Sequence, residues 1–148
     1  MRIRLFKVAT VIAGGYHTLL GLAGLLFPLD VIVKVVAMVF GIVLEVGSQL
    51  SLILKFTSVY LLVFGVMLLV LSSNPVRYRG LAIPALILFG TRFVNRLVLF
   101  AALTAAGMPV IRNVVGTAQI LILFLVIAFC LPKKQSKLQN DGKSSHDQ

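Results

Sequence analysis

The residues best equipped for chemistry are Arg92, Asn95 and Arg96, which lie inside a long hydrocarbon-rich stretch. A guanidinium offers several N–H donors in a flat fork that fits a carboxylate, a phosphate or a carbonyl. Placing one mid-helix in lipid costs ~2.5–3.5 kcal/mol on insertion scales, so such a residue faces a partner, a helix-bundle interior or water. At 3.6 residues per turn, Asn95 and Arg96 fall about 60° and 40° to either side of Arg92. The three therefore share a face, which is expected to point inward. Comparable positions in other apolar runs hold His17, Tyr60 and Gln119, and the acid best placed to answer the arginines is Glu45, with Asp30 second. One acid cannot neutralise two arginines. The remainder is a cationic site for an anion, a lipid phosphate, a carboxylate or a quinone-like carbonyl. The same residues also permit a structural reading. The arginines would then tie helices together through Gln119, Tyr60, backbone carbonyls and Glu45, with Arg96 snorkelling outward and His17 as an interhelical hydrogen bonder.

Other chemistries lack their residues. Cys130 is the single cysteine, so the chain forms no internal disulfide and holds no thiol pair. Besides His17 the only histidine is His146 in the polar tail, which excludes a bis-histidine haem between helices, and no metal-ligand spacing accompanies either. No cofactor is expected. Ser48 or Ser51 with His17 and Asp30 has no local support as a catalytic triad. Gly14, Gly15, Gly21 and Gly24 lie within an apolar run rather than at a strand-to-helix turn, and read as helix-packing positions beside Thr10 and Thr18.

The elements that must position these groups are apolar helices. The chain has 148 residues, 59% of them hydrophobic and 12% charged, with a mean hydropathy of +1.07. Those proportions exclude an ordinary soluble domain. Runs long enough to span a bilayer cover about residues 6–27, 52–71, 81–106 and 110–131. The first resembles a secretory signal, but its apolar part exceeds the ~7–15 residues of a signal core, and we read it as an uncleaved span. The fold class is all-α: an integral membrane four-helix bundle over residues 1–131, with an interfacial segment between helices 1 and 2. That segment, Pro28 to Ser51, puts Lys34, Met38, Gly41, Glu45 and Ser48 near one stripe, as suits a helix lying at the membrane surface. A fifth span or a short hairpin are the alternatives. Residues 132–148 are expected to be a disordered, basic cytoplasmic tail.

The net charge of +10 serves topology. Arg2, Arg4, Lys7, Arg77, Arg79, Lys133, Lys134, Lys137 and Lys143 flank the spans on one side, against Lys34, Lys55 and Arg112 on the other. Both termini are therefore expected in the cytoplasm. Basic groups that flank greasy segments do not make a nucleic-acid surface.

The first span ends in Phe27-Pro28, a long apolar connection follows, the second span contains glycine, and Asn74-Pro75-Val76-Arg77-Tyr78-Arg79 forms the next turn. This order resembles the small four-span bacterial membrane proteins related to DoxX and to the BphX accessory protein of biphenyl-degradation operons. The resemblance covers most of residues 1–131 and implies the four-helix fold; it carries no catalytic residue.

The expected function is a non-enzymatic accessory protein of the cell membrane. It would bind a small amphipathic or anionic ligand, such as an anionic lipid or quinone-like molecule, or a partner helix, in its polar core. Its partners would be the bilayer and another membrane protein or a second copy of the chain. The alternatives are a small transporter or channel subunit for an anionic solute and, behind it, a quinone- or lipid-modifying enzyme subunit.

Overall fold

In the computed structural model, which describes residues 2–40 and 48–131, every regular element is helical. They are α1 (Arg2–Leu26), α2 (Leu29–Phe40), α3 (Ser48–Ser73), a 3-10 turn (Arg79–Leu81), α4 (Ala82–Val98), α5 (Phe100–Ala105) and α6 (Val110–Cys130). Among the described residues, four stretches are long and apolar enough to cross a membrane: Arg2–Leu26, Leu52–Ser73, Arg79–Val98 and Val110–Cys130. Glu45, the expected tail and part of the expected interfacial segment lie outside the described residues; what is described of that segment begins with α2.

The breaks have local causes. Pro28 follows α1 and starts α2, whose first amides bond back to its carbonyl. After α3, Asn74 Oδ1 accepts the Arg77 N–H at 3.1 Å and Asn74 O the Tyr78 N–H at 3.0 Å, an N-cap-like turn ahead of the 3-10 turn. After α5, Gly107 at φ 99° lets the Met108 N–H reach Leu103 O and its own N–H reach Thr104 O. This is a Schellman cap, and only glycine adopts that φ without strain.

α1 and α3 run antiparallel in close contact. Lys7 Nζ donates to Ser73 O at one end, and Lys55 Nζ donates to Leu25 O and Phe27 O, at 3.0 and 3.1 Å, at the other. Between these ends glycines let the backbones meet: Gly24 lies against Ser58, Gly21 against Leu62, and Gly65 against Thr18. Lys55 thus spends its charge on the last carbonyls of α1, where the helix dipole favours a cation. Lys55→Met is expected to lower stability by about 1 kcal/mol, read as an earlier thermal transition in detergent.

α4 packs on α6, with Gly90 beside Phe124, and α1 also touches α6. A small apolar core joins the helices at the end carrying Phe6, Leu71, Ala82 and Ile127. The rest of the apolar surface faces outward: Leu19, Leu26, Val98, Ile111 and Phe129 are each at least 70% exposed. The fully buried set meanwhile includes Thr10 and Asn113. A water-soluble fold shows the opposite distribution.

The third apolar run differs from its expected extent of 81–106. It ends as a helix at Val98, turns at Leu99 (φ −89°, ψ 5°) and resumes as α5. Just beyond the break, Phe100 O accepts a hydrogen bond from the Asn113 side chain of α6. Arg92 therefore lies about 9 Å from the end of its helix rather than at the middle, and Arg96 lies in the last turn.

Candidate functional site

The two arginines part company in the structure. Arg96 Nη1 donates to Asn113 Oδ1 at 2.9 Å and approaches Met108 Sδ at 3.4 Å. Its Nη2 lies over Gly116, where an added Cβ would come within 3.0 Å of it. Asn113 is fully buried and also donates through Nδ2 to Phe100 O at 3.1 Å and towards Thr104 Oγ1 at 3.4 Å. The Schellman cap at Gly107 reverses the chain and brings Met108 and Asn113 onto Arg96. Arg96 is a strut that fastens α4 to the start of α6.

Arg92 has a different environment. Its Nη1 donates to His17 Nε2 at 2.8 Å, reaching from α4 to α1. The other imidazole nitrogen, Nδ1, lies 2.7 Å from Ala13 O. A carbonyl only accepts, so Nδ1 carries the proton; an arginine only donates, so Nε2 presents its lone pair. His17 is thus the neutral Nδ1–H tautomer, fixed from both sides. Its ring meets Phe64 at 5.1 Å and Phe89 at 6.1 Å, both edge to face, and Phe64 meets Phe89 at 5.5 Å. Three aromatic rings from α1, α3 and α4 form a floor, and the half-buried Arg92 guanidinium lies beside it. Asp30 is the only acid among the described residues; it sits exposed in the first turn of α2 and pairs with no arginine.

The remaining expected residues do not gather around this centre. Tyr60 is 74% exposed on α3, and Asn95 and Gln119 are exposed on α4 and α6. The inward face expected for Arg92, Asn95 and Arg96 thus needs correction. The buried sector of α4 runs through Ala82, Ala85 and Phe89, and Asn95 falls beyond its edge. Of the expected set, His17 and Arg92 meet, Arg96 bonds elsewhere, and Glu45 lies outside the described residues.

Sequence reasoning missed Asn113 and Met108. By helical spacing Arg112, Gly116 and Gln119 of the fourth apolar run share one stripe. The structure buries Asn113 and Ile127, with Gly116, Thr117, Ile120 and Phe124 half-buried. Arg112 instead donates to Met38 O at 3.0 Å, near the end of α2. The i, i+3, i+4, i+7 series from Asn113 through Gly116, Thr117 and Ile120 was the available signal.

No metal-binding group of His, Cys, Asp or Glu occurs among the described residues. What the centre offers chemically is a cationic hydrogen-bond donor held by a neutral acceptor. Such an arrangement is suited to negative charge, and no acid pairs with His17 or Arg92 among the described residues. No family model, curated protein or solved structure matches the chain.

Proposed function

We propose that this chain is a multi-pass protein of the cell membrane, a four-helix bundle with both termini in the cytoplasm. It acts without catalysis, by binding the anionic group of a small amphipathic ligand or partner helix at Arg92. The observation that carries this reading is that a neutral imidazole is the only hydrogen-bond partner of Arg92 among the described residues. A guanidinium has five N–H donors, and one bond to a neutral acceptor leaves its charge unanswered. The outward apolar surface supports the membrane setting, and the basic residues Arg2, Arg4, Lys7, Arg77 and Arg79 support the orientation. The four-helix fold proposed here is that of the DoxX- and BphX-related proteins the sequence resembles.

Native mass spectrometry of the protein extracted from its own membrane, wild type beside Arg92→Met, tests the reading. The expected result is a bound anionic species in the wild type that is lost from the variant, together with the stabilisation that it confers. Spectra alike and free of ligand, with Arg92→Met at least as stable as wild type, would return Arg92 to the role of a strut.

A further inference from the structure

The walls around Arg92 bear on what reaches it and from where. α3 and α4 are joined by the short turn after Ser73 and touch as far as the Phe64–Phe89 contact. Past that contact the facing positions are open. Tyr60 and Thr57 continue the Phe64 stripe of α3 at i−4 and i−7, and both are exposed. On α4, Gly90 marks the side that faces α6, and Asn95 lies about 140° around the helix from it, also exposed. Beyond that contact both helices are thus exposed where they carry these groups, a mouth beside which the half-buried Arg92 lies.

The polar groups at the mouth are out of keeping with bare hydrocarbon. Tyr60 lies about 12 Å along the helix from Leu52, where the apolar stretch begins, and is 74% exposed. Neither its hydroxyl nor the Asn95 amide bonds to any described residue. Tyrosine and asparagine at such depth normally find a partner, because an unsatisfied donor in lipid costs free energy. Around them the walls are apolar: Phe56 and Ile53 on α3 are at least 60% exposed, and Leu88 on α4 is partly so. A cation at the back, two polar groups at the mouth and apolar walls complement an oxyanion carried on an acyl chain.

We propose that the ligand is an anionic lipid of the bilayer, which enters sideways between α3 and α4 and places its headgroup oxyanion on Arg92. This rests on the binding reading above and adds the ligand class and the route. The fork of N–H donors left free by His17 takes the oxyanion, Tyr60 and Asn95 take the ester and glycerol oxygens, and the acyl chains remain along the outer walls. His17 fixes Arg92 in place and does not itself meet the lipid.

The test uses the full chain in nanodiscs of phosphatidylcholine with a minor fraction of phosphatidylglycerol, followed by native mass spectrometry of retained lipid. Wild type is expected to keep one phosphatidylglycerol, with roughly tenfold lower retention in Arg92→Met, the worth of one charged hydrogen bond. Arg92→Lys should recover part of it. Thr57→Trp, which fills the mouth without touching Arg92, should also lower retention. Loss in Arg92→Met with full retention in Thr57→Trp would keep the binding site and overturn the route. Stabilisation of wild type, but not Arg92→Met, by millimolar inorganic phosphate, with no phosphatidylglycerol retained, would keep an anion site and overturn the lipid. Retention that emerges only in Glu45→Gln would give Arg92 to the chain's own acid and overturn the proposal. If neither phosphatidylglycerol nor phosphate discriminates wild type from Arg92→Met, the binding reading fails with it.

Discussion

Asn113→Leu is expected to destabilise the protein by about 3 kcal/mol, as a lower midpoint of unfolding in detergent. The estimate follows from what the amide does. It is fully buried, accepts from a guanidinium and donates to a backbone carbonyl at a helix break. A hydrogen bond to a charged group is worth ~1.5–3 kcal/mol, and a buried partner left without one loses its desolvation as well. Leucine shares the branching of asparagine and leaves no cavity, but its larger methyl groups crowd a fully buried site, so the loss combines the polar network with some overpacking. Interhelical hydrogen bonds in membranes average nearer ~0.6 kcal/mol, because the unfolded chain finds other partners. The larger figure applies here because the lost partner serves a cation. Asn113→Asp supplies a carboxylate to Arg96 while giving up the donor to Phe100 O, and should lie well above the leucine variant at neutral pH. A leucine variant as stable as wild type would mean that Arg96 reaches water at its end of α4 without help.

The second large effect is expected at Gly65. A Cβ built there lands against the backbone nitrogen and hydroxyl of Thr18, and within 2.8 Å of Gly14 O. The Thr18 hydroxyl can rotate, but Thr18 N and Gly14 O are backbone atoms with no rotamer to yield, so α1 and α3 must move apart. Overpacking of this kind costs ~1–3 kcal/mol, and Gly65→Ala should fall at the upper end because the contact is helix to helix. Gly65→Val should prevent recovery of folded protein. Gly15→Ala is the control: nothing lies within 4 Å of its added Cβ, and alanine favours a helix by up to ~1 kcal/mol over glycine. Equal losses at Gly15 and Gly65 would show that the glycines act through flexibility and not through close approach.

The sequence foretold a good part of the fold. The four apolar runs became four helices within a few residues of their expected ends, save where the third divides at Leu99, because run length and proline placement are local properties. The close-packing role read for Gly14, Gly21 and Gly24 matches their contacts with Leu68, Leu62 and Ser58, whereas Gly15, read the same way, has nothing within 4 Å of an added Cβ. The site was legible only in part. Arg92 and His17 stood out because a cation and an imidazole are rare in hydrocarbon. That they bond to each other was not readable, since equal depth along two helices leaves their rotation open. Depth and helical stripes point Tyr60 and Gln119 to the centre, but helix rotation places both on the outside.

By itself, then, the sequence determined the helical class, the lengths of the apolar helices, the positions of most turns and the presence of two cations within one apolar stretch. Each follows from composition along a short stretch of chain. Only the tertiary structure decided how those cations are used. Helix rotation and the reversal at Gly107 bring Asn113 and Met108 to Arg96 and so satisfy it, while the long side chain of Arg92 crosses to a histidine whose proton is already committed to Ala13 O. Two arginines one turn apart in sequence thus acquire different roles, because a hydrogen bond depends on direction and distance in space, which spacing along one helix does not specify.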